Sequence, residues 1–288
     1  APEGVSLFSR TGDDIGPAFP DVTTNAVGRA VLDGELLVGR EGLPAPFNDL
    51  QQRLNRKSAS APLMTKFPAF VRVYDMLFDG DDDIRSMSWR ERRQRLEAFF
   101  ARNEQTHLDL SPVLSFVDWT DLARIRRQGA EADGHEGIML KLHTAPYVPG
   151  RPKGYWYKWK RDPNLVDAVL MYAQRGHGKR SSYYSDFTFG AWKGNALVPI
   201  GKSYFGFTDD ELKQLDKWVR SHTIQSFGPV REVHKELVFE IAFDSAQKST
   251  RHKSGVALRF PRINRIRWDK PAGEAVRLEE VEALISLT

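Results

Sequence analysis

Between Lys248 and Lys270 the chain places eight Lys or Arg against a single acid, Asp269, although all 288 residues together carry a formal net charge of only +4. Guanidinium forks grip phosphate oxygens two at a time, so this segment reads as a phosphate-handling surface. Arg259, Arg265 and Arg267 interleave with Leu258, Ile263 and Ile266. That predicts a strand burying one face and showing a row of guanidiniums on the other. A solvated basic edge strand that discourages aggregation would have the same composition, so other segments must decide.

Glu35 sits in VLDGELLV, an alternating strand whose Leu32, Leu36 and Val38 cannot all share its face, so its carboxylate is either solvated or aimed into a cleft. Glu136 opens EGIMLK, where Gly137 permits a close approach; Lys141 falls on the opposite parity, and a twist or bulge is needed to bring both to one ligand. In YWYKWK, Lys158 and Lys160 share parity with Trp156, while Tyr157 and Trp159 point the other way. Two like charges side by side repel unless an anion lies between them. From Leu142 to Arg161 five cationic residues meet no acid that could serve. Taken singly, each of these residues reads as a surface ion pair. Two acids and several cations recurring at strand ends instead fit a divalent metal and a polyphosphate held together.

The elements that must position these groups are short. Val5 to Ser9, Val31 to Val38, Phe70 to Phe78, Gly137 to Leu142 and Tyr155 to Trp159 are β-branched or aromatic runs bounded by Gly, Pro or Asp, and read as strands. Ser88 with Glu91 forms a capping-box pattern ahead of a helix, and Thr120 precedes a second helix expected to stop at Gly129. The first half is therefore mixed α and β with a mainly antiparallel sheet. After Arg161 the DPN turn marks a boundary between about residues 160 and 166. Beyond it VDAVLMYAQ, FTFGAW, NALVPIG, LVFEIAF and the basic segment supply strands, and Thr208 with Glu211 caps one helix. Five or so strands and one helix suggest a small barrel, of which the OB-fold is the commonest nucleic-acid-binding example.

Length predicts two domains, each able to bury its own core. With 41% apolar and 28% charged residues, and no run of about 18 apolar residues, the composition is globular and offers nothing to span a bilayer. The absence of cysteine excludes disulfide scaffolds, thiolate zinc sites and thiol nucleophiles, and fits a reducing cytoplasm. His107, His177 and His234 stand isolated and read as surface or core residues. A sequence pI near 9.2 makes an anionic polymer the natural partner.

The ordered segments SRTGDDI, VLDGELLV, FVRVYDMLF, EGIMLK, YWYKWKR and SGVALRFPRINRIRWDK resemble the collinear motifs of ATP-dependent DNA ligases, members of the covalent nucleotidyltransferase superfamily. The resemblance implies an α+β fold: an antiparallel-sheet adenylation domain at residues 1–162 and an OB-fold β-barrel domain at 163–288. It implies ATP, bound as AMP, with Mg2+ or Mn2+, and nicked duplex DNA as the partner of a monomeric, membrane-free protein in the cytoplasm or on the nucleoid. By the same likeness Arg10 contacts the nucleotide, Glu35 serves the ribose or the metal, and Tyr74 stacks on adenine. Glu136 helps hold the metal, with Lys141, Lys158 and Lys160 around the α-phosphate and Arg151 a further candidate for that pocket. Arg267, Asp269 and Lys270 match the motif that orients the departing pyrophosphate, and Arg259, Arg262 and Arg265 accompany it toward DNA or pyrophosphate.

The sequence departs from the family at one position of consequence. The nucleophile of these ligases is the lysine of a KxDG element shortly before the SRTG segment, yet no lysine precedes Arg10. The Asp-Gly pairs at Asp33, Asp79 and Asp133 have Val31, Leu77 and Glu131 in the lysine's place. The expectation is a fragment of a longer ligase cut just after that element, or a numbering that omits preceding residues; a naturally inactive paralogue is the remaining reading. Such a chain would not adenylate itself. The rival functions are an RNA ligase or capping-type guanylyltransferase of the same architecture, and a non-catalytic DNA-binding module.

Overall fold

The structure is a computed structural model that describes residues 4–54, 56–132, 135–150, 152–176, 178, 181–250 and 252–287. It divides into two compact units, Ala1–Lys160 and Arg161–Thr288.

In the first unit β1 (Ala30–Arg40), β2 (Leu43–Pro44), β3 (Ala69–Asp79) and β4 (Asp82–Asp83) form an antiparallel sheet in the order β2-β1-β3-β4, and β5 (Leu108–Leu110) joins β3 in parallel. The hairpin of β6 (Gly137–Lys141) and β7 (Trp156–Lys160) stands as a separate two-stranded sheet. Among the helices, α1 (Pro20–Thr23), α2 (Phe47–Gln51) and α3 (Ala61–Lys66) are short, and α4 (Trp89–Arg102) and α5 (Trp119–Ala132) are the long ones. The expected capping box at Ser88 and Glu91 is present, with both reciprocal hydrogen bonds made. The start of α5 is set instead by Asp118, whose carboxylate accepts from the Asp121 N–H at 2.8 Å, so the helix begins before Thr120 and runs past Gly129. Val5 to Ser9 does not form a strand. The chain turns back after Ser9, leaving a single bridge between Phe8 and Asp14.

The core of this unit packs Phe19 and Val22 against Val73 and Met76 of β3 and Leu96 and Phe99 of α4. Each such side chain contributes about 1.5–3 kcal/mol through burial. Beside it lies a buried cation. Arg53 is fully buried, grips Asp21 with both terminal nitrogens at 2.6 Å, and donates to the Ala18 and Phe67 carbonyls.

In the second unit β8 (Asn164–Arg175) is the spine. One edge pairs with β9 (Tyr184–Lys193), which carries β10 (Ala196–Ser203). The other edge serves two partners: β12 (Val230–Val233), hairpinned to β11 (Thr223–Phe227), and β13 (Val238–Phe243). The hairpin β14 (Ser245–Lys248) and β15 (Val256–Arg259) follows, then β16 (Arg262–Arg267), which pairs with β13. Helix α6 (Asp209–Ser221) has the capping box expected at Thr208 and Glu211, and α7 (Leu278–Ala283) comes near the end of the chain. Phe187, Phe189, Phe239 and Phe243 fill the barrel with Ile200, Leu215 and Val219.

The basic segment is not the single alternating strand that its spacing predicts. Phe260 has φ +51, a left-handed conformation that a bulky residue rarely adopts, and it breaks the run into β15 and β16. Arg259 therefore belongs to a different sheet from Arg262, Arg265 and Arg267.

Candidate nucleotide-handling site

Register explains how the first unit gathers its functional side chains. Across the β6–β7 hairpin Lys141 pairs with Trp156, Met139 with Lys158 and Gly137 with Lys160. Directly paired residues share a face, so Lys141, Trp156, Lys158 and Lys160 stand together. Gly137 is required for this hairpin: at φ +142 a β-carbon would lie 2.3 Å from the Trp159 carbonyl oxygen. Just beyond it Glu136 reaches Lys160 at 3.9 Å, both side chains being more than half exposed. Lys158 is also exposed. Behind the strand, Arg126 of α5 donates to the Lys160 carbonyl and lies 5.0 Å over the Trp159 ring.

The buried end of that face is an aromatic pocket. Trp156 meets Tyr74 of β3 edge-on at 6.3 Å and Tyr147 at 6.0 Å. Both phenols donate to one carboxylate, Asp33 of β1, at 3.0 and 2.8 Å. Burial, followed by the Asp33 charge, holds the Tyr74 hydroxyl well above the ordinary phenol range, and Glu35 adds to the effect. Burial and the hydrogen bond to Asp33 raise Tyr147 in the same direction. A β-bulge between Asp33 and Gly34 sets this local geometry.

Lys141 runs into the same pocket. Its ammonium donates to the Tyr74 carbonyl at 3.1 Å and lies over the rings of Trp156, Tyr74 and Trp89 at 4.0, 4.6 and 5.7 Å. Asp75 is 3.9 Å away, but both its oxygens are taken by Arg92 of α4, through Nε at 2.8 Å and Nη2 at 2.9 Å. Arg92 also donates to the Met87 and Ala145 carbonyls. Desolvation outweighs the attraction of Asp75 and Asp33, and the Lys141 ammonium is pulled down to about 8.

The residues named from sequence thus fall into three groups. Tyr74 and Lys141 are brought together at the pocket, with Glu35 near enough to act on Tyr74. Glu136, Lys158 and Lys160 line the outer part of the hairpin face. Arg10 is exposed on a turn knitted by Ser9, Thr11 and Asp13, and shares no hydrogen bond with the others among the described residues. Arg151 lies outside the described residues. Sequence reasoning missed Asp33, Tyr147 and the Asp75–Arg92 pair. A signal for Arg92 was there: Trp89, Arg92, Leu96 and Phe99 follow helical core spacing with an arginine in one slot.

In the second unit the row of free guanidiniums expected along the basic strand is absent. Acids distant in sequence answer it: Glu240 takes Arg265 at 3.1 Å, Asp244 faces Arg262 at 3.7 Å, and Asp167 takes Arg267 at 3.1 Å and Lys270 at 2.8 Å. Asp269 closes on the other edge of Arg267. Arg259 stacks over Phe260 at 5.2 Å. Among the described residues no helix is long and apolar enough to cross a membrane.

An α+β sheet unit bearing three lysines on one hairpin face with Glu136 at its edge, together with a curled β-barrel carrying a basic strand, is the architecture of a nucleotidyltransferase with an OB-fold. The family description "ATP dependent DNA ligase domain" matches residues 1–160, and "ATP dependent DNA ligase C terminal region" matches residues 180–270. The chain belongs to the ATP-dependent DNA ligase family. It is 37% identical to a probable DNA ligase of Koribacter versatilis over 97% of this chain and 53% of the relative, and 34% identical to a DNA ligase of Archaeoglobus fulgidus over 98% of this chain and 51% of the relative. The chain spans about half the length of the curated relatives it matches. Solved structures share the fold: Pmar-Lig_PreS3 superposes with TM-score 0.70 at 17% identity, over 91% of this chain and 58% of that one, and a Lig E DNA ligase with TM-score 0.61 at 17% identity, over 91% and 86%.

Proposed function

We propose that this chain is the nucleotide-binding and OB portion of an enzyme that seals nicks in duplex DNA with ATP, by way of an enzyme-bound and then a DNA-bound adenylate. The observation that carries the reading is the single hairpin face on which Lys141, Trp156, Lys158 and Lys160 stand in register, leading from exposed ammoniums into a pocket of tyrosines. Exposed lysines beside an aromatic cluster suit a nucleoside monophosphate, with the base against the rings and the phosphate at the rim.

Each residue has a distinct task in this scheme. Trp156 and Tyr147 shape the adenine site, and the base stacks on Tyr74. Lys158 and Lys160 meet the α-phosphate and balance charge as it passes between acceptors. Lys141 holds the pocket together from beneath rather than reaching the phosphorus, because its ammonium is committed to the Tyr74 carbonyl and the Trp156 ring. Arg10 closes on the nucleotide from its turn. Covalent transfer through lysine divides one hard displacement into easier ones. With Val31, Leu77 and Glu131 at the KxDG positions, the first transfer needs a lysine from outside these residues.

The described residues contain no cluster of three His, Asp or Glu able to hold a metal alone. Glu35 and Glu136 offer hard oxygen donors, which fits Mg2+ or Mn2+ if phosphate oxygens complete the set, as is usual for Mg2+. Such an ion would neutralise phosphate charge. In the second unit Arg267 and Lys270 orient the departing pyrophosphate, and Arg259, Arg262 and Arg265 face the DNA backbone.

The test supplies the missing intermediate. Preadenylated nicked DNA incubated with the chain should yield sealed product above a protein-free control; none at any enzyme concentration would sink the catalytic reading and leave a DNA-binding module. Adding a lysine-bearing upstream segment should restore a covalent AMP adduct. ATP against GTP, and nicked DNA against nicked RNA, separate this reading from capping and RNA-ligase chemistry.

A further inference from the structure

Strands β8, β13 and β16 lie side by side, with Asp167 opposite Glu240 and Glu240 opposite Arg265. Two acids directly across from one another repel, and the same face answers with Arg265, Arg267 and, from the turn after β16, Lys270. Glu240 is satisfied by Arg265 and by Asn264 at 2.6 Å. Asp167 concentrates its charge on one oxygen: Oδ2 accepts from Arg267 Nη1 at 3.1 Å and from Lys270 Nζ at 2.8 Å. Its Oδ1 is buried with no hydrogen-bond partner among the described residues. The remaining edge of Arg267 is a bidentate fork on Asp269, Nε at 3.0 Å and Nη2 at 2.9 Å.

The two aspartates that share Arg267 differ in access. The side chain of Asp167 is 16% exposed and that of Asp269 is 70% exposed. A phosphate presents the same pair of oxygens to a guanidinium fork as a carboxylate does. It can replace a solvated carboxylate with little desolvation, whereas displacing Asp167 would strip a buried charge of both its cations.

We propose that Asp167 is a positioning residue for polyphosphate recognition: it stays bound to Arg267 and Lys270 and aims them, while Asp269 yields the Nε and Nη2 edge of Arg267 to a phosphate group, with pyrophosphate as the ligand. The inference rests on the assignment of Arg267 and Lys270 to phosphate. Under simple Coulomb attraction removing either negative charge strengthens anion binding, whereas removing a positioning carboxylate weakens it.

The experiment titrates inorganic pyrophosphate into the whole chain by calorimetry, with thermal melting recorded for each variant. Asp269→Asn should tighten binding roughly two- to fivefold, and Asp167→Asn should weaken it by a similar factor, with Asp167→Glu recovering part of the loss. Tighter binding in both asparagine variants overturns the positioning role. If Asp167→Asn melts below the assay temperature, Asp167→Glu is read in its place: it keeps the charge and shifts the carboxylate, so binding weaker than wild type supports the positioning role and wild-type or tighter binding overturns it. Arg267→Ala and Lys270→Ala test the underlying assignment: wild-type affinity in both, or no binding by the wild-type chain, removes phosphate handling itself. Weakening in both, without the opposite signs at the two aspartates, removes only the role of Asp167.

Discussion

Lys141 and Trp156 face each other across the β6–β7 hairpin, and the ammonium of one sits 4.0 Å from the ring centre of the other. The lysine side chain is only 9% exposed, and its nearest carboxylate, Asp75, is fully engaged by Arg92. A cation is thus held mainly by π-faces and one carbonyl. The arrangement keeps it charged near neutrality but weakly so.

This has a pH signature. The folded ammonium titrates near 8 and the unfolded one near 10.5, so between those values the folded chain binds fewer protons than the unfolded one. Stability therefore rises with pH through that window. The penalty is fully present below about 8 and gone above the unfolded value, for a contribution of about 3 kcal/mol. Urea unfolding of wild type and Lys141→Met from pH 7.5 to 10.5 should show this rise in the first and not in the second.

Asp33 should govern two phenols at once. Replacing it with Asn keeps the shape and removes the charge, so the Tyr74 and Tyr147 hydroxyls should both ionise at lower pH. Ultraviolet titration of tyrosinate reads this directly. An unchanged curve would contradict the hydrogen bonds that both phenols donate to Asp33.

Arg92→Met should cost about 3–5 kcal/mol, since it leaves Asp75 as a buried charge without its fork. The loss of Arg92 also removes a neighbouring positive charge that depresses Lys141. The pH window of the preceding experiment should accordingly move upward in this variant, an effect that a shift in denaturant midpoint at one pH would not reveal.

Gly137→Ala should destabilise the chain by at least about 1 kcal/mol, because both its positive φ and the approach of the Trp159 carbonyl exclude a side chain. It should also separate Glu136 from Lys160. Sealing of a preadenylated nick should then fall, and Lys158→Ala should lower it by about a hundredfold without altering thermal stability.

How much of this was legible depended on sequence distance. FVRVYDMLF and VLDGELLV announce strands through their own side chains, and the capping boxes at Ser88 and Thr208 declare themselves within four residues. The pocket does not. Asp33, Tyr74 and Tyr147 meet over separations that no local pattern records, and Lys141 looks like any strand-end cation until its rings are in place. The basic segment shows the same limit: its charge excess was plain, but of the acids that neutralise it Asp167 and Glu240 lie on strands read only for their apolar residues, and Asp244 lies in the bend after β13. The break at Phe260 had a local sign in Pro261, which has no N–H to donate to a sheet ladder.

The provenance of those neutralising acids matters outside the folded state. Asp167, Glu240 and Asp244 reach the basic segment only once β13 has paired with β16 and β8 with β13. In any denatured or nascent chain the eight cations between Lys248 and Lys270 have only Asp269 to answer them, and cellular RNA can compete for them before the barrel closes. Recovery from denaturant should therefore improve with moderate salt or nuclease treatment, and lysates made at low ionic strength should carry nucleic acid along with the protein.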